Sequence, residues 1–220
     1  MRTEITIHNS VSLDGSLTGF MPEMGPHYSI AGRFPHDARL IGSETIRTGI
    51  EMFGETVPAE VPQDFLKPDR DASVPWWIVV DSGGKLKGML HTCRRFEYCR
   101  DVIVLVSENT PKDYITHLEE RKYKYLIAGV EKVNLTEAFQ QLQKTIGIKR
   151  ILADTGRVLG NLLLNTGLVS NLSLLVHPLI VGSNGYRMFD DISKDINLSL
   201  IKTELLEKGI VWLHYKIEKR

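Results

Sequence analysis

Apolar and polar positions along this chain fall into strand-like and helix-like stretches in near alternation. Residues 3–13 place Ile5, Ile7, Val11 and Leu13 on one parity, the two-residue period of a half-buried strand. Residues 38–41 form a short apolar run. Ser43 then caps a helix striped by Ile46, Ile50 and Phe53 that ends near Gly54. Trp76–Val80 and Val102–Val106 are continuous apolar runs of the kind found in strands buried on both faces. Thr110-Pro111 opens a helix with Ile115 and Leu118 inward, and 125–128 is a short strand. Asn134 pairs with Glu137 to cap a helix whose stripe is Leu135, Ala138, Phe139, Leu142 and Ile146. Residues 150–153 predict a strand, 158–164 a helix and 172–181 a long strand. Residues 198–206 and 210–217 read as two strands around a turn at Lys208-Gly209.

Repeated strand–helix–strand order implies parallel strands joined by crossover helices, and the terminal pair implies an antiparallel edge. The expected fold is therefore α/β. Its mixed, mostly parallel sheet has helices on both faces and an antiparallel C-terminal strand pair, all in one domain over residues 1–220. Residues 54–75 carry four of the nine prolines, Pro58, Pro62, Pro68 and Pro75, and read as a surface excursion because strand patterns resume at once.

Composition narrows the function. Lys+Arg and Asp+Glu are both 27 in 220 residues, so the formal net charge is zero, which argues against a broad basic face for nucleic acid or anionic membrane. A 42% hydrophobic content excludes a disordered chain, and two cysteines, Cys93 and Cys99, exclude a disulfide framework. The N-terminus alternates instead of forming a signal-peptide core, and His177 and Pro178 interrupt the longest apolar stretch. The expectation is a soluble, cytoplasmic protein acting on a small molecule.

Four segments offer chemistry. At Asp154-Thr155-Gly156-Arg157, a strand ends, glycine turns the chain and a helix begins, so backbone amides there could receive a phosphate. Arg157 in that first turn is disfavoured by the helix dipole unless an anion sits beside it; a plain strand–helix turn is the alternative. Gly42-Ser43-Glu44-Thr45 repeats the arrangement, with Ser43 equally readable as a simple cap. Asp81 and Ser82 follow a buried strand and suit either a ribose contact or turn chemistry, and Asp14-Gly15 is a common turn dipeptide. His91, Cys93 and Cys99 lack the fourth ligand of a structural zinc site, so no metal is expected. The P-loop, the G-x-S-x-G elbow, H-E-x-x-H and G-x-G-x-x-G are all missing.

In order, SVSLDGSLTG, ARLIGSETIRTG, WIVVDSGGKL and RILADTGRVLGNLLLNTGLVSNLSLLVHPLIVGSNG resemble the C-terminal reductase domain of RibD and its stand-alone, dihydrofolate-reductase-like relatives over roughly residues 3–217. The resemblance implies an NADPH-dependent reductase of riboflavin biosynthesis, often dimeric. Hydride transfer would convert the ribosylamino group of a diaminopyrimidinone 5′-phosphate to ribitylamino. It places cofactor contacts on Val11, Thr45, Ser82, Gly156, Arg157, Val158, Leu159 and Gly160. Substrate contacts fall on Arg33 and Asp154, with Asp154 and Asp14 serving the chemistry. Two departures stand out. Asp154-Thr155-Gly156 replaces the frequent Glu-Gly-Gly, and Gly49 replaces an acidic residue. They leave open a reductase of another pterin or pyrimidine, or a non-catalytic NADPH-binding module. The deaminase signature of the bifunctional enzymes is absent.

Overall fold

The apolar runs become strands, as their lengths and flanking turns require. The computed structural model describes residues 3–52 and 56–218, so Phe53, Gly54 and the expected end of the second helix lie outside the described residues. Among the described residues nine strands run in the order β5-β4-β3-β2-β6-β1-β7-β9-β8, a mixed and mostly parallel sheet with an antiparallel C-terminal pair. Six α-helices accompany them among the described residues. Contacts divide the chain into two units, Met1–Thr3 with His36–Ile151 and Glu4–Pro35 with Leu152–Arg220.

The first unit holds β2 (Ala38–Gly42), β3 (Trp76–Val80), β4 (Val102–Val106) and β5 (Lys124–Ile127), all parallel. Every side chain of β4 is buried, as its unbroken Val-Ile-Val-Leu-Val run demands. Its helices are α2 (Ser43–Met52), α3 (Leu90–Arg95), α4 (Lys112–Glu120) and α5 (Leu135–Ile146). Asn134 Oδ1 accepts from the Glu137 amide and Gly147 closes the helix at φ 83°, so both expected ends of α5 are realised. Ile46, Val79, Leu90, Cys93, Val104, Tyr114 and Leu118 share one core. Beside it, Arg94 and Asp101 form a fully buried pair at 2.9 Å. Arg94 also donates to the carbonyls of Asp64 and Arg121 and lies over the Tyr123 ring.

The second unit holds β1 (Glu4–Ser12), β7 (Asn171–His177), β8 (Leu198–Leu205) and β9 (Val211–Ile217), with α1 (Met24–Ala31) and α6 (Arg157–Asn165). The strand β6 (Arg150–Ala153) leads into α6. β1 runs parallel to β7, whose other neighbour, β9, is antiparallel. Two expectations change. β1 is buried on both parities rather than one, because Thr6, His8, Ser10 and Ser12 also turn inward; Leu13, beyond its end, is exposed. β7 stops at His177 rather than 181, since Pro178 has no amide for the ladder. β8 is an edge strand with nearly every side chain exposed.

Candidate active site

β1 carries a row of buried polar side chains, and each is bonded. His8 Nδ1 lies 2.9 Å from Ser173 Oγ on β7, and its Nε2 donates to the His27 carbonyl at 3.1 Å. Asn9 donates to the Thr155 carbonyl at 3.1 Å, tying β1 to the turn between β6 and α6. Ser10 Oγ lies 3.1 Å from His27 Nδ1. The His27 Nε2 reaches Asp154 Oδ2 at 3.4 Å. Asp154 is therefore joined to a helix that carries no strong pattern in the sequence: α1 contains Gly25 and Pro26 and buries only His27, Ile30 and Ala31.

At the β6–α6 turn, Gly156 is the N-cap, no side chain caps the helix and the first turn holds no acid. The early amides of Arg157, Val158 and Leu159 thus lack intrahelical acceptors, as at any helix start. Gly160 packs against Thr155, where a Cβ would stand 3.4 Å from Oγ1. Val158 and Leu162, one turn apart, leave an exposed apolar strip. The anion that Arg157 calls for comes from this chain: Nε pairs with Asp191 at 3.1 Å, Nη1 approaches Asp190 at 3.7 Å, and the guanidinium lies over the Tyr186 ring.

Asp14 is a brace between loops. Its Oδ1 accepts from Ser12 Oγ at 2.5 Å and from the Val181 amide at 3.1 Å, and its Oδ2 accepts from the Gly182 amide at 2.9 Å. These donors, Ser12 foremost, lower its pKa to about 2, so at neutral pH it holds no proton to give. Leu13, Leu17 and Met188 add backbone bonds between the two loops.

A family model, that of the RibD C-terminal domain, matches residues 3–212. The chain belongs to the RibD C-terminal domain family. It is similar to a 2,5-diamino-6-ribosylamino-4(3H)-pyrimidinone 5′-phosphate reductase of Methanothermobacter thermautotrophicus, 27% identical over 146 residues. That match spans 62% of this chain and 64% of that protein, less than two thirds of its length. Among solved structures, a pyrimidine reductase-like protein from Corynebacterium diphtheriae superposes with a TM-score of 0.74 at 19% identity, covering 99% of this chain and 93% of that one. A riboflavin biosynthesis reductase from Saccharomyces cerevisiae gives 0.67 at 17%, covering 99% and 90%. At these identities the two structures establish the fold.

Within this RibD C-terminal domain, the remaining candidates take up varied roles. Val11 is buried on β1 opposite Val176. Arg33 pairs with Glu204 at 2.9 Å and lies over Trp212. Thr45 and Ser82 belong to the other unit. Thr45 is in the first turn of α2, and Ser82 Oγ accepts from the Val133 amide while its carbonyl accepts from Thr110. Asp81 caps the following turn through the Lys85 and Leu86 amides, so its carboxylate is taken up by turn chemistry. Gly49 stands in α2 with open space where a Cβ would point, so packing does not demand glycine there. Burial pushes the Cys93 thiol up to about 12 and Cys99 higher still, which leaves both protonated and inert. No group of His, Cys, Asp or Glu among the described residues is arranged to hold a metal, and no described helix is long and apolar enough to cross a membrane.

Proposed function

We propose that this chain is an NADPH-dependent oxidoreductase of riboflavin biosynthesis, reducing the ribosylamino group of a diaminopyrimidinone 5′-phosphate to ribitylamino. The family match over residues 3–212 supports the reading, and Asp154 follows the end of β6 just before the uncapped start of α6. The donor set suits a dinucleotide phosphate: early α6 amides and a guanidinium, with no acid in the first turn to repel it. When bound, NADPH supplies the hydride.

The chain's own work is placement. Gly156, Arg157, Val158, Leu159 and Gly160 hold the phosphate end, and the apolar Val158 excludes water. Asp154 contacts the substrate, while Asp14 keeps the loop after β1 closed. Val11, Thr45, Ser82 and Arg33 remain in the proposal through the family resemblance, each open to test by substitution. A cytoplasmic homodimer completes the reading, supported by the exposed Leu200, Ile201 and Leu205 on edge strand β8.

Fluorescence titration with NADPH, followed by loss of dihydronicotinamide absorbance on adding the pyrimidinone, tests it. Binding with turnover is expected. Binding without turnover of this or any related pyrimidine or pterin would leave a binding module, and no binding would refute the proposal.

A further inference from the structure

Donor and acceptor identities fix the Nε2 hydrogens of both histidines along the buried chain that ends at Asp154. The Trp212 indole can only donate, so Ser173 Oγ accepts from it at 2.8 Å. The His27 carbonyl can only accept, so His8 Nε2 carries a hydrogen. Ser173 is then free to give its hydroxyl hydrogen to His8 Nδ1, which leaves a neutral ring satisfied at both nitrogens. The same logic reaches His27. A carboxylate can only accept, so Nε2 carries the hydrogen facing Asp154; in the neutral ring Nδ1 then accepts from Ser10.

His27 itself is 4% exposed. Its ring lies 4.5 Å from that of His8 and takes Tyr28 edge-on at 5.3 Å. The titratable groups facing it are His8 from β1, Tyr28 from its own helix and Asp154 from the β6–α6 turn. Asp154, by contrast, keeps a third of its side chain exposed. A buried ring nitrogen thus meets a partly exposed carboxylate.

We propose that His27 is the positioning residue of this site: an Nε2–H donor, locked by Ser10 and His8, that orients the Asp154 carboxylate toward the substrate. The inference rests on the reading that Asp154 serves the substrate. At 3.4 Å, the His27–Asp154 contact is the longest link in the chain and the one a bound substrate tightens.

Two arms keep the inference and that reading separable. In the first, the full-length protein is labelled with 15N-histidine and observed by NMR without ligand. His27 should show the Nε2–H tautomer. Asp154→Asn should move its Nε2 signal and leave His8 in place, and Ser10→Ala should move Nδ1. A His27 signal indifferent to Asp154→Asn overturns the proposal.

In the second arm, His27→Phe should lower kcat by as much as about 100-fold with NADPH affinity unchanged. His27→Gln, which can present an amide N–H at the same place, should recover most of the loss. Equal losses in the Phe and Gln variants would overturn positioning. If the wild-type protein itself does not reduce the pyrimidinone, the functional reading fails and the NMR arm alone decides whether His27 holds Asp154.

Discussion

Arg157 must exchange partners if it is to bind a phosphate, and the structure sets the size of that exchange. It begins α6, where a cation is disfavoured by about 0.3–1 kcal/mol. Asp191 at 3.1 Å and Asp190 at 3.7 Å offset this. Their side chains are 53% and 49% exposed, so solvent screening limits each pair to about 0.2–1 kcal/mol. A charged hydrogen bond to phosphate contributes about 1.5–3 kcal/mol. Giving up roughly 1 to gain roughly 2 leaves a net contribution of about 1 kcal/mol, or about fivefold in NADPH affinity. Arg157→Ala should weaken binding by that factor. Asp191→Asn, which removes the nearer competitor, should tighten it by about two- to fivefold. The double variant should bind like Arg157→Ala alone, because Asp191 acts through the guanidinium. Fluorescence titrations at one fixed, low ionic strength supply all four affinities. Strictly additive effects, or weaker binding by Asp191→Asn, would refute the competition and leave Arg157 a structural residue.

Three further outcomes bear on stability. Asp101→Ala strands the buried Arg94 guanidinium and should remove about 3–5 kcal/mol, seen as a lower urea midpoint at unchanged slope. Gly49→Ala adds a methyl group to open space within α2 and should raise stability by about 0.5–1 kcal/mol in the same assay. Stability should fall as pH drops below the ordinary histidine value of 6.5, because burial lowers the pKa of His117, His177 and His214. The unfolded chain then binds more protons than the folded one, so protonation pulls toward unfolding. His117 also accepts from the Gly88 amide through Nε2, a bond that protonation breaks. His117→Gln should flatten this dependence between pH 7 and 5.5; an unchanged slope would remove His117 from the account.

Much of the sheet was legible because apolar runs of strand length have few alternatives when turns bound them. Val102–Val106 could only be a buried strand, and Asn134 with Glu137 could only open a helix. What escaped was structure held by tertiary contacts. α1 carries glycine, proline and histidine where a stripe would be sought, yet it delivers His27 to Asp154. α3 likewise hides behind residues that first suggested zinc. For Arg157, the helix dipole pointed to an anion or to a plain turn, and Asp190 and Asp191 lie more than thirty residues away, beyond the reach of any short motif. Asp14 shows the converse: its turn was plain, and its three donors were not.

The pairing of His8 with Ser173 spans 165 positions, and this separation governs the order of assembly. Residues 36–151 form a nearly uninterrupted unit, whereas the other is built from residues 4–35 and 152–220. During vectorial synthesis the first can close once residue 151 emerges. β1, made earliest, must wait for β7 before Thr6 and His8 meet Asn171 and Ser173. A one-place slip on docking would set His8 against the wrong neighbour, so those polar groups act as a checksum on register. The chain thus closes its last and slowest contact where its candidate chemistry resides.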